Sequence, residues 1–180
     1  MMAVKSFFVT LGLVTLLSAC QTTGDSAGTT REVEPSDTVF DMPFKEFGFK
    51  KAKIYERGSF RIDTISFRSG YIRHYQYYRG GMLKPTRDKT KKRIHKLFPD
   101  ANVPKEITFL TVPIGDIYYA VFNIENDTCL FFNGYRGDEL QLQGGVGYDA
   151  LTEGLYCSDK DSEFTLDKIK TTFKKIKIRS

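Results

Sequence analysis

Three stretches in the middle of the chain do most to limit its fold. Ile107-Thr-Phe-Leu-Thr-Val112, Ile117-Tyr-Tyr-Ala-Val-Phe-Asn-Ile124 and Thr128-Cys-Leu-Phe-Phe132 are dense in β-branched and aromatic residues. Such residues suit a pleated, half-buried surface better than a helix. The polar turn Glu125-Asn-Asp127 separates the last two, which predicts an antiparallel pair. These stretches read as the centre of a sheet. Upstream, Phe47–Tyr55, Ser59–Phe67 and Tyr71–Tyr78 have strand composition. Alternation breaks between Ile62 and Ile65, which predicts a bulge. Downstream, Asn133 to Gly147 reads as a glycine-rich loop leading to a late strand, Leu155-Tyr-Cys157.

Two segments carry helical signals. Pro85 to Pro99 opens with Pro-Thr and closes on Pro, and its apolar patch is only Ile94, Leu97 and Phe98, so a short, mostly solvated helix is expected. Near the C-terminus, Leu166, Ile169, Phe173 and Ile176 fall on one helical face. That face is expected to pack on the sheet, with a membrane-lying helix as the alternative. The fold class is therefore α+β: a mainly antiparallel sheet, one short mid-chain helix and a C-terminal helix.

The first nineteen residues, MMAVKSFFVTLGLVTLLSA, form an address. Lys5 supplies a positive n-region, Phe7 to Leu17 an uncharged apolar run, and Ser18 and Ala19 a small-residue cleavage site. The run is shorter than the roughly 20 residues that span a bilayer. Leu17-Ser18-Ala19-Cys20 resembles the lipobox of bacterial lipoproteins. The resemblance implies lipidation of Cys20, cleavage just before it, and anchoring of the mature chain to a membrane outside the cytoplasm. Gln21, where an aspartate would retain the protein at the inner membrane, resembles the route to the outer membrane, facing the periplasm. Residues 21–38 have few apolar side chains and read as a tether about 23 Å long on average. The organisation read here is 1–19 leader, 20–39 lipidated cysteine and tether, and 40–180 one α+β domain.

With Cys20 lipidated, two of the three cysteines remain, Cys129 and Cys157. An oxidising compartment favours pairing them. The closed loop would contribute roughly 3–4 kcal/mol through chain entropy. Two buried free thiols are the alternative at this point. A metal site finds no support in spacing, because only His74 and His95 could join the cysteines, and no cofactor motif is present.

The formal net charge of +5 is unevenly distributed. Residues 45–105 carry 17 basic and five acidic side chains, whereas residues 106–162 carry two basic and ten acidic ones. Envelope anions such as lipid headgroups, acidic glycans and phosphate-bearing polymers would attract the basic block; nucleic acid is not an expected partner there. The block could equally neutralise its acidic neighbour or simply solvate a face. Within it, Arg68, Tyr71, Arg73, Tyr75, Tyr77 and Arg79 interleave cations with rings, and the odd positions from 71 to 79 would share a strand face. Rings stack on sugars, and arginines clasp carboxylates or phosphates, so these six are the candidate ligand-binding residues.

Catalytic signals are absent. There is no GxSxG elbow, SxxK or P-loop, and no catalytic residue is assigned. Asp138, Glu139, Asp149 and Glu153 are acids that could meet in space. The lipobox, Cys129-Leu-Phe-Phe132 and Gly154-Leu-Tyr-Cys157 together resemble small bacterial envelope lipoproteins, a resemblance that implies a compartment and no activity. Three expectations follow. A flat, positive, aromatic surface would mean a lipid-anchored envelope binding or interaction module. A deep cleft lined by the loop acids would mean a hydrolase. A large exposed apolar patch would mean a structural subunit of an envelope complex.

Overall fold

The computed structural model describes residues 27–104, 106–143, 145–158 and 164–179. The leader, its cleavage site and Cys20 lie outside these residues. The described elements run β1 (Thr29–Val33), β2 (Phe40–Asp41), β3 (Phe49–Arg57), β4 (Phe60–Phe67), β5 (Gly70–Tyr77), β6 (Met82–Leu83), α1 (Arg87–Leu97), β7 (Thr108–Val112), β8 (Gly115–Ile124), β9 (Asp127–Leu142), β10 (Gly145–Ser158), α2 (Leu166–Lys174) and β11 (Lys177–Ile178). Nine strands form one sheet, ordered β1-β3-β4-β5-β10-β9-β8-β7, with β6 also pairing with β10. Every pairing is antiparallel. A small β2–β11 ribbon stands apart from it. The described residues have an α+β fold.

The helices cover opposite sides of the sheet. On one side α2 buries Ile169 and Phe173, followed by Ile176, against Ala52, Ile65, Ile72, Ile117 and Phe132. The Phe173 ring meets Phe132 edge-on, centroids 4.8 Å apart. Leu166, expected on this face, is 47% exposed, so the buried stripe starts one turn later. On the other side α1 buries Ile94 against Ile107, Ala120, Phe122, Cys129 and Phe131. Thr86 caps α1, its hydroxyl accepting from Lys89 N at 3.2 Å. Cys129 and Cys157 sit directly opposite each other on β9 and β10 and form a disulfide within this second core.

Four expectations are corrected. The stretches read as the sheet centre form β7, β8 and β9, yet β7 is an edge strand with β8 beside it, because β10 pairs with β5 as well as β9 and so takes the middle of the sheet. Pairing runs without interruption through Ile62 and Ile65, which face Tyr75 and Ile72 respectively. Their odd spacing sends them to opposite sides of a strand that carries apolar residues on both, so no bulge is needed. The expected glycine-rich loop is a long hairpin, β9 reaching Leu142 and β10 beginning at Gly145. Glycine serves close approach there: a Cβ on Gly147 would run into Leu142 and the Met82 carbonyl. The segment read as tether is also partly folded, since β1 pairs with β3 from Thr29↔Glu56 to Val33↔Ala52. Its few apolar residues mattered less than the open edge of β3, whose backbone groups need partners; Val33 packs against the α2-side core.

Candidate functional site

Alternation fixes what β3, β4 and β5 show on each side. Their α2 side takes Ala52, Ile54, Asp63, Ile65, Phe67, Ile72 and His74, all buried. Their α1 side takes the other set, tied in cross-strand rows: Lys51, Ser66 and Tyr71; Lys53, Thr64 and Arg73; Tyr55, Ile62 and Tyr75; Arg57, Phe60 and Tyr77. None of these twelve side chains is buried. The α1 helix rests further along the sheet, against β8 and β9, which leaves this area open. It carries four cations, five aromatic rings and no carboxylate. With alternate residues about 6.7 Å apart and strands about 4.8 Å apart, the tract measures roughly 20 by 10 Å.

The rings are packed, which holds their planes in place. Phe60 lies 5.6 Å from Tyr77 and stacks at 6.4 Å on Tyr75. The Arg73 guanidinium lies 4.5 Å over the Tyr71 ring, a contact worth about 0.5–1 kcal/mol at such a site. Two carboxylates bound the tract, Glu32 opposite Lys53 on β1 and Glu153 opposite Arg73 on β10. Glu153 is 4% exposed. It accepts from Arg93 Nε at 2.7 Å and Nη2 at 3.1 Å, and more weakly from the Tyr71 and Tyr75 hydroxyls at 3.4 and 3.5 Å. Burial, reinforced by the Glu153 charge, pushes both phenols up, so they stay neutral hydrogen-bond donors. Arg93 thus fastens α1 to the border of the tract and satisfies an acid that would otherwise oppose an anionic ligand.

Four of the six sequence candidates, Tyr71, Arg73, Tyr75 and Tyr77, share this face. Arg68 and Arg79 do not: Arg68 lies in the β4–β5 turn and Arg79 beyond the end of β5, both exposed. Strand limits decide this, because the face ends where pairing ends. Sequence reasoning missed the contribution of β3 and β4 and the role of Arg93. The period-two pattern Lys51-Ala-Lys53-Ile-Tyr55-Glu-Arg57 held the signal for β3.

The four candidate acids are dispersed. Glu153 belongs to the α1 side and to Arg93; Asp138 and Glu139 are exposed on β9; Asp149 lines a cavity on the α2 side. Among the described residues, no cluster of three or more His, Cys, Asp or Glu side chains is placed to hold a metal ion, and no helix is long and apolar enough to cross a membrane. The large exposed apolar side chains, Tyr78, Leu83, Phe109 and Leu166, are on different segments. No protein-family model, curated protein or solved structure matches the chain.

Proposed function

We propose that this protein is a lipid-anchored binding module of a bacterial envelope that holds an anionic glycan or phosphate-bearing polymer along the open face of β3, β4 and β5. The observation that carries the reading is the composition of that face: four cations and five rings at twelve outward positions, without a carboxylate. Sugar rings stack on aromatic planes, while guanidinium and ammonium groups meet carboxylates or phosphates. Each cation near such a polymer adds about 1 kcal/mol, screened beyond roughly 10 Å at moderate salt. The lipobox-like Leu17-Ser18-Ala19-Cys20 supports the anchor, and the Cys129–Cys157 disulfide supports an oxidising compartment.

Retention on immobilised lipopolysaccharide or purified cell wall tests the binding face. The wild-type chain is expected to elute with rising salt. Lys51→Gln, Lys53→Gln and Arg73→Gln combined should elute at markedly lower salt, whereas Arg79→Ala, outside the face, should match wild type. Retention that ignores salt and the triple substitution overturns the reading. The anchor has its own test: Cys20→Ser is expected to leave the precursor unlipidated and unprocessed in cells, and normal processing with acyl labelling of that variant would remove the anchor.

A further inference from the structure

On the α2 side of the sheet, away from the proposed polymer face, lies a cavity of about 540 Å³ whose charged lining is Arg61, Arg136, Arg179, Asp37 and Asp149, with the His74 ring among them. Arg61 is committed, because its Nε and Nη2 donate to the fully buried Asp63 at 2.7 and 2.8 Å. The other two guanidiniums are pinned through one nitrogen each. Arg136 Nη1 donates to the Ile178 carbonyl at 3.2 Å, and Arg179 Nη2 donates to the Ser36 and Thr38 carbonyls. Their remaining N–H groups have no described partner. Among the described residues, no ion pair joins either guanidinium to a carboxylate, and none engages Asp37 or Asp149.

The placement of Asp149 is built into the backbone. Between the pairs Tyr148↔Glu139 and Ala150↔Arg136, one residue of β10 faces two of β9, which makes a bulge. In a regular strand Asp149 and Ala150 would point to opposite sides of the sheet, yet both line this cavity. Gly137, in the bulge, has φ +99°, and a Cβ there would overlap the Asp149 carboxylate oxygen. Bulges commonly re-aim a side chain at a binding site. Here the bulge presents a carboxylate to a cavity that already holds two guanidiniums, and the three charges are left unpaired with one another.

We infer that this cavity binds a small zwitterion of the amino-acid or short-peptide class, its carboxylate on Arg136 and Arg179 and its ammonium on Asp149. A ligand bearing both charges satisfies both sets of groups at once. A simple anion would meet Asp149 and Asp37 as repulsion, and a simple cation would meet the arginines in the same way. Gln76 and Tyr78, also on the lining, offer uncharged hydrogen-bonding groups for the body of the ligand.

Calorimetric titration of the full chain in detergent with glycylglycine tests the assignment. N-acetylglycine, which lacks the ammonium, and glycinamide, which lacks the carboxylate, serve as half-ligands. Glycylglycine should bind, each half-ligand should be weaker by about 10-fold or more, and Asp149→Asn and Arg136→Gln should each cost a similar factor. Gly137→Ala should abolish binding by displacing the Asp149 carboxylate. No detectable glycylglycine binding, or N-acetylglycine binding equal to it, overturns the inference, as does unchanged affinity in both charge variants. Asp149→Asn should leave retention on polymer resin intact, so this inference and the proposed function can fail separately.

Discussion

The two sides of β3, β4 and β5 are made from the same residues of sequence taken alternately, and they have opposite characters. The α2 side is closed over its apolar length and opens at its polar end into the cavity lined by Arg61, His74 and Gln76. Its buried polar pair, Asp63 and His74, is tied in: Asp63 by Arg61 and the Val39 N–H at 3.2 Å, His74 by Thr152 at 3.0 Å from its Nδ1. The α1 side keeps rings and cations half in water. The difference comes from what covers each side: α2 with the β2–β11 ribbon over one, and α1 displaced toward β8 and β9 over the other. A charged residue on an open face costs little to keep, whereas one on the closed face has to be fully satisfied. The concentration of basic residues in this part of the chain is therefore compatible with a well-packed sheet, because the cations on the strands fall at outward positions or, like Arg61, next to a buried acid.

The strongest way to break this comparison is a pair of identical substitutions three residues apart on β4. Ile65 is fully buried, so Ile65→Ala should destabilise the fold by about 3–4 kcal/mol through lost burial and a residual cavity. Ile62, on the open side, should cost only about 1 kcal/mol when changed to alanine. Urea unfolding of the two variants decides it. Equal costs would mean that the α1 side is as tightly packed as the other and would remove the basis for treating it as a ligand surface.

Much of this architecture was legible from period and composition. Strand-dense segments around Ile107–Phe132 announced three strands but not their place, since β7 is an edge strand and β5 and β10 are central; Thr86, Pro85 and Pro99 marked α1 closely, because helix limits depend on local chemistry. The region from Asn133 to Gly147 was misread, since glycine looks the same whether it frees a loop or lets strands approach closely. Thr29–Val33 was misread for a related reason: a strand recruited by another strand's open edge needs little hydrophobicity of its own. At the candidate site, the rings and arginine of β5 could be found by alternation within one strand. The rows through Lys51, Lys53 and Phe60 needed the register between strands, which no single segment encodes. The Arg93–Glu153 contact joins positions 60 residues apart and left no local signal. The bulge at Asp149 was equally silent, and the one bulge expected, between Ile62 and Ile65, is absent.

A smaller effect sharpens the contrast between the two sides through pH. His74, on the closed side, is pushed down to about 4, first by burial and then by the positive charges of Arg136 and Arg61, with Asp63 pulling the other way. In the unfolded chain its imidazole takes a proton near pH 6.5. Between these values the unfolded chain binds a proton that the folded one refuses, so stability is complete above about pH 6.5 and declines as pH falls toward about 4. The full contribution is on the order of 3 kcal/mol, and only part of it is lost at intermediate pH. The urea midpoint should therefore drop from pH 7.5 to pH 4.5, and His74→Gln should flatten that part of the slope even though carboxylates elsewhere still titrate. The phenols of Tyr71 and Tyr75 on the open side are pushed in the other direction and stay neutral throughout this range, so replacing either with phenylalanine should leave the pH slope as it was. An unchanged slope in His74→Gln would mean that the imidazole, although buried beside the cavity, is as fully hydrated as in the unfolded chain.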